Sequence, residues 1–186
     1  MKDKPAPTVS AAPAKRSFPP VVDEGARVLV LGTLPGEESL RRQQYYAHPR
    51  NLFWRIVFAL FDDTPPNGYA ERLAFVSAHR IALWDVCEIG ERERSADTTI
   101  RFERPNAIDR LLDEHPLIGA VAFNGTTARR LYDRYFPRRD KLTYLGLPST
   151  SPAHAAIDFA GKLARWKVLR EVLEQDGRRS WVARAG

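Results

Sequence analysis

Two short stretches of the chain combine turn residues with side chains that could bind a ligand. In the first, the apolar residues 28–31 lead into Gly-Thr-Leu-Pro-Gly at residues 32–36, and aromatic, basic and carboxamide side chains follow at residues 45–54. In the second, at residues 147–155, three hydroxyl-bearing residues lie between two prolines. Each stretch follows an apolar run, and open α/β sheets build their ligand crevices where such strands end. The glycine spacing of the first stretch matches neither a P-loop nor a dinucleotide fingerprint.

Four short apolar runs could form the strands that position these stretches. They cover residues 27–31, 81–86, 118–123 and 142–145, and helical patterns of apolar residues fill the gaps between them. Such alternation implies right-handed crossovers and a parallel sheet that is covered on both faces. We therefore predict an α/β fold, a three-layer αβα sandwich with a central, mostly parallel four-stranded sheet. A length of 186 residues suits one domain of this kind.

The two ends of the chain differ in composition from the rest. Residues 1–24 are rich in proline, alanine, serine and lysine without periodicity. Such a segment buries too little apolar surface to offset the entropy lost on ordering. We predict a flexible tail over residues 1–24, a folded domain over residues 25–176 and a flexible end over residues 177–186.

The charge balance favours a polyanionic partner. The chain has 29 lysine and arginine residues against 23 aspartate and glutamate residues, a formal charge of +6. Cys87 is the single cysteine, which excludes an intramolecular disulfide and a four-cysteine metal site. No apolar run approaches the ~20 residues that span a bilayer, and the N-terminus lacks the hydrophobic block of a secretory signal. We expect a soluble, cytoplasmic monomer with no membrane association.

Taken together, the two stretches resemble the uracil-DNA glycosylase superfamily, and most closely its hypoxanthine-DNA (deoxyinosine) glycosylase branch. That branch has a Gly-(Ser/Thr)-(Met/Leu)-Pro-(Gly/Ser) loop, a Tyr-Tyr-Ala-His-Pro-Arg-Asn-x-Phe-Trp segment and a Leu-Pro-Ser-Thr-Ser-Pro-Ala loop, which this chain carries at residues 32–36, 45–54 and 147–153. The resemblance extends over residues 27–174. It implies an enzyme that extrudes a deaminated base from double-stranded DNA, hypoxanthine before uracil or xanthine, and hydrolyses its N-glycosidic bond without a metal or other cofactor.

The resemblance implies that Asn51 orients the attacking water through its carbonyl oxygen. Related glycosylases use an asparagine in the loop after the first strand, and this chain has the apolar Leu34 at that place. Asparagine is also a preferred helix cap, so Asn51 could instead only cap the helix that follows it. His154 stands where the branch more often has asparagine, and it is a second candidate catalytic residue.

Five residues are candidates for binding the base: Gly32, Leu34, Tyr46, Phe53 and Asp85. The resemblance places Phe53 where the superfamily stacks an aromatic ring on the extruded base, although its spacing fits a core position equally. Asp85 closes an apolar run, and its carboxylate could accept a hydrogen bond from the N1–H of hypoxanthine, which adenine lacks. Asp85 could instead cap a turn. Tyr46 could wall the pocket or be a partly buried surface residue.

The same resemblance assigns contacts with DNA phosphates to Ser149 and Ser151 in the second stretch. His48 could donate a hydrogen bond to the base or to a phosphate, or it could only fix the turn beside the following proline. Residues 124–126 indicate a strand end followed by a helix cap. Residues 95–100 match a pattern of the branch and are expected near the rim of the pocket.

Two other functions stay open at this point. The chain could be a glycosylase specific for uracil or mismatched bases, because the volume of the pocket depends on packing. It could also be a DNA-binding module that keeps the fold but does not cleave, because Leu34 replaces the asparagine of related loops.

Overall fold

A parallel sheet of four short strands lies at the centre of the protein. The structure is a computed structural model, and it describes residues 14–91 and 101–182. The strands of the described part are β1 (Lys15–Arg16), β2 (Val28–Gly32), β3 (Ile81–Asp85), β4 (Cys87–Glu91), β5 (Arg101–Pro105), β6 (Ala120–Asn124) and β7 (Thr143–Leu147). The helices are α1 (Glu37–Arg42), α2 (Phe53–Ala59), α3 (Tyr69–Ala78), α4 (Ile108–Glu114), α5 (Thr126–Tyr135) and α6 (Phe159–Val182).

The central sheet has the strand order β3-β2-β6-β7, and all its pairings are parallel. Every residue of β2, β3 and β6 is buried, as expected for apolar strands covered on both faces. The register aligns the carboxyl ends of the four strands, so that Gly32, Asp85, Asn124 and Leu147 lie along one edge of the sheet. The predicted four-stranded parallel sheet is confirmed, and the polar residues at this edge define where a ligand can bind.

Side chains alternate along each strand and build a core on either face of the sheet. Val28 and Val30 of β2 pack on one face with residues of α2, α3 and α6. Leu29 and Leu31 pack on the other face with residues of α4 and α5. Helices therefore cover both faces, and the predicted three-layer αβα arrangement is confirmed.

Residues 14–24, part of the predicted flexible tail, form regular backbone contacts with the folded domain. Strand β1 pairs antiparallel with β4, which itself pairs with β5 to complete a second, three-stranded sheet. Further along, Val21 forms an antiparallel bridge with Leu83 through two backbone hydrogen bonds of 2.9 and 2.8 Å. The backbone of this segment thus finds its partners on strands that are distant in sequence, and it covers the open edge of β3.

The C-terminal boundary also differs from the prediction. Helix α6 continues to Val182, past residue 176, where the domain was expected to end. Residues 1–13 of the predicted tail and residues 95–100, expected near the pocket, lie outside the described residues. Within the described part of the chain, every helix is too short or too polar to cross a lipid bilayer.

Candidate active site

A crevice of about 390 Å³ lies at the edge where the strands of the central sheet end. Its volume falls within the range of small-molecule sites. Its wall includes eight of the residues that the sequence predicts: Gly32, Leu34, Tyr46, His48, Asn51, Asp85, Ser149 and Ser151. Loops from distant parts of the chain therefore meet at one site, as the two sequence stretches indicate.

The floor of the crevice joins the ends of β2 and β3. Gly32 and Asp85 are register partners in the parallel pair, and the side chain of Asp85 is only 4% exposed. A Cβ atom at residue 32 would overlap Oδ1 of Asp85 and lie 3.2 Å from the hydroxyl of Tyr46. The other carboxylate oxygen, Oδ2, accepts a hydrogen bond of 3.1 Å from the hydroxyl of Ser17. Glycine at position 32 thus makes room for the carboxylate in the pocket wall.

The aromatic wall consists of Tyr46 backed by Phe53. Their rings stack with centroids 3.8 Å apart and an angle of 20° between the planes. Phe53 is completely buried and also contacts Trp54 and Trp166 edge-on. Tyr46 has a φ of 55°, a left-handed conformation that is uncommon for a bulky residue and that packing must hold in place. The structure therefore does not bring Phe53 to the crevice, because Tyr46 lies between this ring and the ligand space.

A core role for Phe53 predicts a large loss of stability in Phe53→Ala. Removing a completely buried aromatic ring is expected to lower the free energy of unfolding by about 3–5 kcal/mol. Denaturant titration followed by tryptophan fluorescence measures this change. Phe53→Leu keeps much of the apolar volume and is the matched variant, with a smaller loss. Equal stability of Phe53→Ala and the wild type would contradict the core role.

Asn51 lies in the turn that enters α2. Its Oδ1 accepts a hydrogen bond of 2.9 Å from the backbone N–H of Phe53, the first residue of α2. The side chain therefore makes the contact that the helix-capping alternative expects. Asn51 also belongs to the crevice wall. A carboxamide oxygen has two lone pairs, and the capping bond uses one of them. Capping therefore fixes the amide at the crevice and is compatible with a second contact to water.

His48 fixes the turn that precedes Asn51 while lining the crevice. Its Nδ1 accepts a hydrogen bond of 3.1 Å from the backbone N–H of Arg50, and its backbone oxygen accepts one of 2.8 Å from the N–H of Asn51. With Nδ1 acting as an acceptor, the proton of the neutral ring is on Nε2. The turn-fixing alternative is thus observed, and the ring keeps a donor for a ligand.

The second stretch closes the crevice and is anchored by a residue that the sequence analysis did not assign to the site. Asn124, at the end of β6, donates from Nδ2 to Oγ1 of Thr150 and accepts from the N–H of Thr150, each at 2.9 Å. The carbonyl of Thr150 in turn accepts a hydrogen bond of 3.0 Å from the N–H of Leu52. Asn124 therefore holds together the closing loop and the Asn51 segment.

A signal for Asn124 is present in the sequence, because it ends a parallel strand as Asp85 does and so lies at the same edge of the sheet. The next residue, Gly125, has a φ of 104°, and a Cβ there would come within 2.9 Å of Cβ of Ser149. Only glycine combines this backbone conformation with so close an approach. The strand end after β6 thus positions the loop that carries the serines.

His154, the second candidate catalytic residue, does not belong to the crevice wall. Its side chain is exposed, and its backbone N–H donates to the carbonyl of Ser151 at 3.0 Å. Its own carbonyl accepts a hydrogen bond of 2.8 Å from Nζ of Lys162, a residue that is only 2% exposed and whose pKa is lowered by burial. These two backbone contacts hold residue 154 outside the crevice.

Two further residues of the wall, Glu38 and Tyr45, have shifted pKa values. Hydrogen bonds from Arg41 and then Arg42 lower the pKa of Glu38 to about 2, so its charge persists at neutral pH beside two guanidinium groups. Burial raises the pKa of Tyr45, and the negative charge of Asp85 adds to this effect. Tyr45 therefore stays protonated and donates to the backbone at the start of the chain.

The family model described as the uracil DNA glycosylase superfamily matches residues 19–172 of this chain. The chain belongs to this superfamily. The resemblance inferred from the two sequence stretches is thereby confirmed, and so is the prediction of a DNA repair glycosylase that hydrolyses N-glycosidic bonds.

Two proteins that are similar in sequence to this glycosylase are each named hypoxanthine DNA glycosylase. The one from Methanosarcina barkeri is 43% identical over 112 residues, which is 60% of this chain and 71% of the relative. The one from Methanosarcina acetivorans is 42% identical over 115 residues, 61% of this chain and 73% of the relative. The solution NMR structure of a candidate uracil DNA glycosylase from M. acetivorans superimposes with a TM-score of 0.76 at 35% identity, covering 87% of this chain and 99% of that one.

The lining of the glycosylase crevice combines aromatic, acidic, amide and hydroxyl side chains. These include the ring of Tyr46, the carboxylate of Asp85, the amide of Asn51 and the hydroxyls of Ser149 and Ser151. In residues 14–91 and 101–182, no three histidine, cysteine, aspartate or glutamate side chains are grouped as metal ligands.

Proposed function

We propose that this glycosylase excises deaminated bases from double-stranded DNA, with hypoxanthine as the preferred base, and leaves an abasic site. The feature that carries this proposal is the buried carboxylate of Asp85, which lies against Gly32 in the wall of a crevice that also contains Asn51. Two similar proteins named for hypoxanthine support the same base.

Base recognition in this proposal depends on the direction of one hydrogen bond. Hypoxanthine has a donor at N1–H, which a carboxylate oxygen of Asp85 accepts. Adenine has an acceptor at N1 and would place its lone pair against the carboxylate, at a cost that a buried site makes large. Tyr46 provides the flat surface on which the base stacks, and Phe53 holds that ring from behind.

Asn51 acts on the water in this proposal. Cleavage of the N-glycosidic bond develops positive charge on the sugar and negative charge on the leaving base, so a water must be held near the anomeric carbon. The second lone pair of Oδ1 orients this water while the first stays bonded to the N–H of Phe53. Leu34 is 4% exposed and apolar, and it only shapes the pocket.

The mouth of the crevice binds the DNA backbone. Ser149, Ser151 and the Nε2–H of His48 contact the phosphates on either side of the extruded nucleotide, a task that needs donors but no sequence readout. Arg50 in the same wall adds a positive charge. The formal charge of +6 supports binding to duplex DNA, and the enzyme acts there as a cytoplasmic monomer.

A panel of lesion-bearing duplexes tests this function. Duplexes with a single inosine, uracil or xanthosine are incubated with the protein, and abasic sites are then cleaved with alkali. We expect strand breaks at inosine to form faster than at uracil or xanthosine, and none at adenine. Faster breaks at uracil would make the protein a uracil or mismatch glycosylase. Binding without any strand break would favour the DNA-binding module.

A further inference from the structure

Ser17 contacts Asp85, a residue of the crevice wall, from a segment outside the central sheet. Two backbone contacts hold residues 17–21 in place. The N–H of Ser17 donates to the carbonyl of Glu88 at 2.7 Å, and Val21 forms a bridge with Leu83. Trp84 adds a third contact, a hydrogen bond of 3.0 Å from Nε1 to the carbonyl of Phe18. The position of the Ser17 hydroxyl is therefore set by the fold.

The hydroxyl of Ser17 has one proton. It lies near the hydroxyl of Tyr45, which donates to backbone carbonyls, and near two further acceptors. Oδ2 of Asp85 is 3.1 Å away, and the carbonyl of Phe18 is 3.3 Å away. The carbonyl of Phe18 already accepts hydrogen bonds from Trp84 and Tyr45. A charged acceptor also forms the stronger hydrogen bond, and Asp85 is the closer of the two. The proton of Ser17 is thus directed to Asp85.

This hydrogen bond is one of the contacts that orient the carboxylate of Asp85. Ser17 holds Oδ2, and Oδ1 lies against Gly32 in the crevice wall. Asp85 is only 4% exposed, so solvent has little access to take over the role of the hydroxyl. Loss of the serine hydroxyl would remove the contact that holds Oδ2 and weaken the hold on the orientation of the carboxylate.

We propose that Ser17 is a positioning residue for base recognition, which holds the Asp85 carboxylate so that it can accept a hydrogen bond from the extruded base. This inference rests on the proposed function of Asp85. Ser17 does not touch the base itself. Through this contact, the segment of residues 17–21 supports the part of the site that recognises the base.

The first test compares Ser17→Ala with Ser17→Thr in single-turnover excision of hypoxanthine. We expect the alanine variant to be slower by about 10- to 100-fold, as for the loss of one hydrogen bond to a charged group. The threonine variant keeps the hydroxyl and restores most of the rate. The dissociation constant for the duplex stays unchanged in both. Arg16→Ala is the matched control and keeps the wild-type rate. It changes the residue next to Ser17 and removes only an exposed ion pair with Glu88 of β4.

The second test repeats Ser17→Ala in an Asp85→Ala background. A residue that acts through Asp85 has no further effect once the carboxylate is absent, so we expect the two changes not to add. The same fold-loss in both backgrounds would mean that Ser17 only holds the segment in place, and would overturn the inference. A wild-type rate for Ser17→Ala would overturn it while leaving the proposed function intact. A wild type that excises no base would overturn both.

Discussion

Asn51→Ala is expected to lower the single-turnover rate of hypoxanthine excision by about 10²-fold or more, the usual contribution of a group that positions or activates a reactant. Affinity for the duplex is expected to stay nearly unchanged, because phosphate contacts supply most of it. The amide of Asn51 is already fixed by its bond to the N–H of Phe53, so the water it holds is positioned before the base arrives. Single-turnover kinetics and a fluorescence binding assay measure the two quantities.

The capping role of Asn51 requires its own control. Serine is an equally good helix cap, so Asn51→Ser keeps the bond to Phe53 while its side chain is too short to hold the water. We expect Asn51→Ser to be as slow as Asn51→Ala, but with the thermal stability of the wild type. A fast Asn51→Ser variant would show that this residue serves catalysis only by capping α2. A fast Asn51→Ala variant would move the water to another group.

Asp85→Asn is expected to reduce hypoxanthine excision by roughly 10²-fold, because sites built around a hydrogen bond reject a mispaired donor or acceptor strongly. The change preserves shape but replaces one carboxylate oxygen with an N–H₂ group. The hydroxyl of Ser17 is directed at the side chain and selects the amide oxygen, so the amide nitrogen faces the N1–H of the base. Two donors then oppose each other in a buried site.

Excision rates on inosine duplexes test this expectation, with thermal unfolding as the check on folding. Asp133→Asn is a matched control, since this aspartate of α5 lies away from the crevice wall and forms an exposed ion pair with Arg138. We expect it to keep the wild-type rate. An Asp85→Asn variant as fast as the wild type would assign recognition of the base to another group in the crevice.

The central sheet could be predicted because its signals are local. Each strand is a short apolar run, and a strand buried on both faces has few alternatives once helices alternate with it. Gly32 directly follows one such run and Asp85 closes another, and neighbouring parallel strands end at the same edge of the sheet. Their meeting in the crevice therefore follows from the strand pattern.

The roles of the aromatic residues could not be decided in this way. Tyr46 and Phe53 both carry apolar rings near the start of α2, and helical spacing alone does not say which ring is exposed. The left-handed conformation of Tyr46 places its ring over Phe53, and neighbouring packing stabilises it. Likewise, His154 follows the serine loop in sequence, yet the contact of its carbonyl with Lys162 holds it outside the crevice.

The amino-acid sequence by itself determined the fold class and most of the crevice wall, because these depend on apolar periodicity and on residues next to strand ends. The superfamily was inferred from the resemblance of its motifs to those of a known family. Only the tertiary structure decided that residues 14–24 are ordered, that Ser17 contacts Asp85 and that Asn124 anchors Thr150. These are hydrogen bonds between residues far apart in the chain. Their partners are specified by how the strands assemble, and no local pattern of residue types encodes them.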